Sequence, residues 1–175
     1  YEMKSCCFPT VNPNAPYELT PDEIILMSKL HHSFTVNEKL HKHIRLLLSH
    51  GSLYTIINDN LLFHASVPLN DDGSLKEVEL CKGHKYKGRE LMNRTEHIIR
   101  NAFQNDSDPR EKEFSVDYFL YLWCGRNSVL FDKSKMATFE RYFLKDKSTY
   151  KEEKGNYFKL RNNEEECDAI LDAFG

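Results

Sequence analysis

Apolar residues recur at helical spacing over the first fifty positions, then give way to runs that are apolar at nearly every position. Positions 1–19 hold Pro9, Pro13 and Pro16 and read as an extended lead-in. Thr20, Pro21 and Glu23 make a helix start, with Thr20 as cap, Pro21 in the first turn and Glu23 closing a capping box. Ile24, Leu26, Met27 and Leu30 follow at helical spacing. A second helix is predicted from Asn37 through Leu40, Ile44, Leu47 and Leu48. It should stop at His50 and Gly51, with the glycine in a left-handed conformation. Positions 20–51 are thus a helical hairpin.

The period changes at Ser52. Runs 52–57 and 61–67 are β-prone and flank Asn58, Asp59 and Asn60, which predicts a β-hairpin. Both strands are apolar on both faces, as in a sheet covered on both sides. One hairpin among helices cannot provide that cover, so more sheet is expected elsewhere. Pro68 and a turn over Asn70, Asp71, Asp72 and Gly73 lead to a short strand near 75–80 and a tight turn at Lys82 and Gly83. Helices are predicted over 89–103 and 111–123, split by Asp106, Ser107, Asp108 and Pro109. Positions 125–132 read as loop, 138–144 as a short helix, 145–156 as a charged solvated stretch, and 164–174 as a last helix. The fold class is α+β, predominantly helical with a central β-hairpin. It is organised as lead-in 1–19, helical hairpin 20–51, hairpin and strand 52–80, and helical segment 81–175 with loop 124–137, together one globular fragment.

Composition narrows the function. The 175 residues carry 24 Lys+Arg against 27 Asp+Glu, a formal charge of −3 that argues against a nucleic-acid partner. Eleven Phe and nine Tyr promise a packed core. No apolar run approaches the ~18–20 residues needed to cross a bilayer, so no membrane partner is expected. The five cysteines, at 6, 7, 81, 124 and 167, contain no Cys-x-x-Cys pair and read as reduced thiols of a cytoplasmic protein. The glycosylation patterns at Asn93 and Asn105 read as chance matches beside that cysteine usage.

Two features could carry chemistry. His64 lies near the end of an apolar strand, where α/β sheets place ligands, and an imidazole there can bind a metal. On the residues alone the simpler reading is a histidine of the pleat whose nitrogens the backbone satisfies. The second feature is loop 124–137, which gathers Arg126, Lys133 and Lys135 with Asn127 and Ser128, followed by Arg141 in the next helix. Such cations and neutral donors suit a small anion such as a sugar phosphate. As a bare charge cluster they read first as a solvated basic surface balanced by Asp132 and Glu140. Asp-x-His, Gly-Asp-x-x-Asp, Gly-Asn-His, Gly-x-Ser-x-Gly and a phosphate-cradling Gly-rich loop are all missing. This chain alone is therefore expected to turn over nothing.

The run His64-Ala65-Ser66-Val67-Pro68-Leu69-Asn70 and positions 123–143 resemble one family, the class 3 fructose-1,6-bisphosphatases of Firmicutes and related bacteria. Pro16-Tyr17-Glu18-Leu19-Thr20, Tyr121-Leu122-Trp123-Cys124-Gly125, Lys135-Met136, Thr138-Phe139-Glu140-Arg141-Tyr142-Phe143 and Asp146-Lys147 extend the likeness along most of the chain. The resemblance implies cytoplasmic enzymes of gluconeogenesis with a calcineurin-like metallophosphoesterase fold. This chain would then be an internal piece of that α/β sandwich plus a helical insertion, with the remaining metal motifs before Tyr1 and after Gly175. It implies hydrolysis of fructose 1,6-bisphosphate with two divalent cations per site, typically manganese. His64 would be one metal ligand, and Asn127, Ser128, Lys135 and Arg141 would contact substrate. The remainder of the same polypeptide is the implied partner, and a homo-oligomer is compatible. Ala65, Ser66 and Asp132 depart from the family pattern of Gly, Cys and Gly, and Asp132 is expected to repel a phosphate.

Two other readings stay open: an autonomous module that binds a sugar phosphate or a protein, and a protein or nucleotide phosphatase sharing only the fold. The fragment reading has a structural consequence. The hairpin 52–67 should expose apolar surface or an unpaired strand edge, unless a second copy covers it.

Overall fold

Helix-capping chemistry places the first elements in the computed structural model, which describes residues 1–5, 8–81, 83–104 and 108–175. Helix α1 (Pro21–Thr35) starts on the expected capping box: the Glu23 N–H donates to Thr20 Oγ1 and the Thr20 N–H to Glu23 Oε2 (2.8 Å). Asn37 caps α2 (Glu38–His50) by accepting the Leu40 N–H at 2.9 Å. Gly51 ends α2 with φ −78°, an extended conformation rather than the expected left-handed one. A side chain there would collide with the Leu47 carbonyl, so the close approach is what calls for glycine.

The chain divides into two compact units. The first comprises Tyr1–Gly51 and Phe139–Thr149. Within it Met3 bridges Leu144, and the Phe8 and Phe143 rings lie 5.1 Å apart. Thr10 donates to Glu23 at 2.6 Å, so the proline-rich lead-in is tied to the helices that follow. The second unit, Ser52–Thr138 with Tyr150–Gly175, holds every buried residue of the hydrophobic cluster.

In the second unit β1 (Tyr54–Ile57) pairs antiparallel with β2 (Asn60–Phe63), Ile57 opposite Asn60 and Tyr54 opposite Phe63. The turn is tighter than expected. Asn58 (φ 50°) and Asp59 (φ 61°) alone form the loop, both left-handed as a type I′ turn requires. The second strand stops at Phe63 instead of reaching 67, because its partner begins at Tyr54 and offers nothing opposite His64. Residues opposite one another share a face. Tyr54 and Phe63 therefore face inward, with Tyr54 4.9 Å from Phe174 and Phe63 5.6 Å from Tyr157. The other face, with Thr55, Ile57 and Leu62, is open, Ile57 being 54 % exposed and Leu62 52 %. The chain's own core covers one face of the hairpin, where the sequence predicts cover on two.

A second hairpin stands where a lone short strand near 75–80 is expected. β3 (Val78–Cys81) pairs with β4 (His84–Tyr86), with a register shift between Glu79 and Cys81. Three residues ending in Tyr86 are too few for alternation to announce a strand. The expected turn residue Lys82 lies outside the described residues, as do Cys6, Cys7, the Asn105 glycosylation site and the breaker residues Asp106 and Ser107. The α+β class holds, with two small hairpins beside the helices.

Helices α3 (Gly88–Phe103) and α4 (Pro109–Cys124) pack together over Leu91, Met92, Thr95, Ile98 and Leu122. Asp108 caps α4, accepting the Arg110 N–H at 2.9 Å. Arg89 of α3 ties β1 to the chain's end, donating to the Tyr54 hydroxyl (3.0 Å) and the Phe174 carbonyl (2.9 Å). Short helices α5 (Phe139–Phe143) and α6 (Tyr157–Leu160) precede α7 (Glu164–Phe174), which buries Ile170 and Phe174. Among the described residues no helix is long and apolar enough to cross a membrane.

Candidate functional site

The exit of β2 carries the residues from His64 to Leu69 straight into the core. Val67 and Leu69 are buried, and Lys76 donates its N–H to the Pro68 carbonyl at 2.9 Å. His64 sits at the mouth of this segment, exposed to solvent, and its ring has no hydrogen bond among the described residues. Backbone satisfaction of a pleat histidine is not what the structure shows. The side chain is available to a ligand on its open side.

Two residues later, Ser66 is fully buried and fastened to loop 124–137 at two points. Its N–H donates to the Val129 carbonyl (3.3 Å) and its hydroxyl to Asp132 Oδ2 (2.7 Å). Asp132 is the node of the region, 2 % exposed and held at φ 46°. Its other carboxylate oxygen accepts the Asn127 N–H at 3.0 Å, and its carbonyl accepts the Gly155 N–H at 2.8 Å. Gly155 lies so close that any Cβ would strike the Asp132 carboxylate. Both side-chain oxygens are buried and hydrogen-bonded, so losing either contact would strand a buried polar group, which makes this node a strong local constraint. Asp132, expected to repel a phosphate, instead faces inward and spends both oxygens on the chain.

The other candidates fall in different settings. Asn127 takes a left-handed conformation (φ 62°), and its backbone is committed to Asp132. Ser128 is buried, its hydroxyl donating to the Leu122 carbonyl (2.6 Å) and accepting the Leu130 N–H (3.1 Å). That hydroxyl closes α4 onto the loop. Lys135 is half-buried on the same loop, in the second unit. Arg141 is exposed on α5, in the first unit, where its carbonyl accepts Lys4 Nζ at 2.6 Å. His64, Asn127, Ser128 and Lys135 thus share one unit, and Arg141 belongs to the other.

Stretch 145–156, expected to be solvated, supplies structure to the loop. Glu152 accepts Lys133 Nζ (2.8 Å) and the Ala137 N–H (3.0 Å), and Lys133 bridges Lys154. Lys133 is balanced by Glu152 rather than by Asp132. Tyr121 donates its hydroxyl to the Arg126 carbonyl. Burial, then the Asp132 charge, push the Tyr121 phenol above its ordinary range. Sequence reasoning did not single out Ser66, Glu152 or Gly155 as architectural. A lone glycine inside a charged run was the one visible signal for Gly155.

Among the described residues no group of three or more His, Cys, Asp or Glu gathers to hold a metal. These residues alone do not make a metal centre. His64 offers one exposed imidazole at the head of a segment whose residues 66–69 are buried.

The model of the Firmicute fructose-1,6-bisphosphatase family matches residues 1–175. A relative named fructose-1,6-bisphosphatase class 3 from Phocaeicola vulgatus is 55 % identical over 175 residues, covering 100 % of this chain and 26 % of the relative. Relatives of the same name from Bacteroides fragilis (52 %, 100 % of this chain) and Clostridium botulinum (51 %, 99 % of this chain) are likewise matched over 26 % of their length. No solved structure matches. This chain spans about a quarter of the length of the curated relatives it matches, and it belongs to the Firmicute fructose-1,6-bisphosphatase family.

Proposed function

We propose that the polypeptide to which these residues belong hydrolyses fructose 1,6-bisphosphate to fructose 6-phosphate and phosphate, as a cytoplasmic enzyme of gluconeogenesis. The carrying observation is the 55 % identity to a relative of that name, sustained along all 175 residues. In this reading His64 is one ligand of a divalent metal, manganese by preference, and the other ligands come from the remainder of the polypeptide. When bound, a divalent pair activates water and neutralises phosphoryl oxygens.

The chain's own residues do positional work in this reading. The Ser66–Asp132 hydrogen bond fixes the arm that presents His64, and the Asp132–Asn127 contact fixes the loop that follows α4. Lys135 offers a cation and Asn127 an amide to a sugar phosphate, and Arg141 is a separate candidate contact on the first unit. Ser128 acts through loop shape, because its hydroxyl already serves Leu122 and Leu130.

The test is phosphate release from fructose 1,6-bisphosphate by the complete polypeptide, with and without manganese, beside calorimetric manganese binding. Manganese-dependent hydrolysis is expected, with His64→Ala weakening metal binding and lowering turnover by about two orders of magnitude or more. The 175-residue chain alone should release none. Hydrolysis of nucleotides or phosphoproteins in place of the sugar phosphate would overturn the substrate. Unchanged manganese affinity and turnover in His64→Ala would overturn the ligand role.

A further inference from the structure

An exposed strand edge invites another strand, and proteins normally blunt it with charge, proline or a bulge. β3–β4 follows that rule: Glu79 stands opposite Lys85, both exposed, and the register shifts between Glu79 and Cys81. β1–β2 has none of these devices. Tyr54, Thr55, Ile56 and Ile57 face Phe63, Leu62, Leu61 and Asn60 in unbroken register without one charged side chain. Its outer face leaves Ile57 and Leu62 about half exposed.

The two edges of this hairpin differ. A ladder closed by the Ile57–Asn60 pair turns the backbone groups of Tyr54 and Ile56 outward on β1, and those of Leu61 and Phe63 outward on β2. On β1 the Tyr54 carbonyl accepts the Ser52 hydroxyl, and the neighbouring Leu53 N–H donates to Glu96 Oε2 at 3.2 Å. That edge is partly closed by the chain. On β2 the groups of Leu61 and Phe63 have no partner among the described residues, and the strand leads directly to His64.

We infer that the β2 edge is an interaction surface, occupied by a β-strand of the same polypeptide lying outside these 175 residues. The described strands form two sheets that do not pair with each other, and the described residues of the first unit contain none, so no described strand occupies this edge. The relatives are about four times as long, which leaves ample chain to supply it. A second copy is disfavoured on area. Two four-residue strands present a face of about 130 Å², far below the roughly 800 Å² per partner of a stable interface. Paired in this way, β2 becomes an interior strand, and its exit delivers His64 at a sheet end instead of at an open edge.

Residue-resolved amide hydrogen exchange on the complete polypeptide, at two protein concentrations tenfold apart, tests this without any substitution. The Leu61 and Phe63 amides should exchange at least about 100-fold slower than free peptide, equally at both concentrations, while Ile56 exchanges faster than either. Free exchange at Leu61 and Phe63 would overturn the inference. So would protection confined to Ile56. Protection that appears only at the higher concentration would assign the edge to a second copy and overturn it equally.

Discussion

The two hairpins lie in one unit of one chain and solve opposite problems. β3 alternates buried and exposed along Val78, Glu79, Leu80 and Cys81, so each residue has one destination. Its solvent face carries an opposite-charge pair and its register is broken, as suits an edge that stays in water. β1 and β2 are apolar on both faces, yet this chain covers only the face bearing Tyr54 and Phe63. On the inference drawn above, the outer face of β1–β2 answers to a neighbour that these 175 residues do not supply, whereas β3 answers to water.

Four perturbations sharpen this contrast, each read as a shift in chemical unfolding. The largest is expected from Leu62→Asp in the complete polypeptide, where a charge on a covered face costs about 3–5 kcal/mol. A loss under ~0.5 kcal/mol would mean that the face stays in water. Next is Asp132→Ala, which strips the Ser66 hydroxyl and the Asn127 N–H of a buried acceptor and should cost about 2–4 kcal/mol. Asp132→Asn should recover part of this, since an amide oxygen still accepts one of the two bonds.

The third concerns the core that this chain closes by itself. Burial beneath α3 pushes the Tyr118 phenol up to about 12, although its hydroxyl meets Thr95 Oγ1 at 3.5 Å. The unfolded chain releases that proton near pH 10, and the folded chain holds it longer. The stabilisation is therefore complete below pH 10 and drains away as pH rises towards 12. Between pH 9 and 11 the loss attributable to this group is about 1 kcal/mol, and Tyr118→Phe should remove that slope. The smallest effect belongs to the blunted edge, where Lys85→Ala should change stability by under ~0.5 kcal/mol.

Local chemistry was the readable part of the sequence. Thr20 with Glu23, and Asn37, announced two helix starts because caps act over three or four residues, whereas Asp108 and Pro109, read as a break, turn out to cap and open α4. The first hairpin was legible from the turn residues Asn58, Asp59 and Asn60, although the loop is only the first two of them. β4 and α6 were not, being too short for a period to show. The architecture around Asp132 was hidden for another reason. Ser66, Asp132 and Gly155 are separated by 66 and 23 positions, and nothing local requires that a carboxylate at 132 face inward. His64 and loop 124–137 each stood out alone, and only the fold joins them, through Ser66.

A solved structure of the complete polypeptide tests the contrast most directly, read at the backbone of Leu61 and Phe63. A strand from outside these 175 residues should be hydrogen-bonded there, with Ile57 and Leu62 covered and Glu79 and Lys85 still in solvent. A bare two-stranded β1–β2 ribbon, with Leu62 in water, would contradict it.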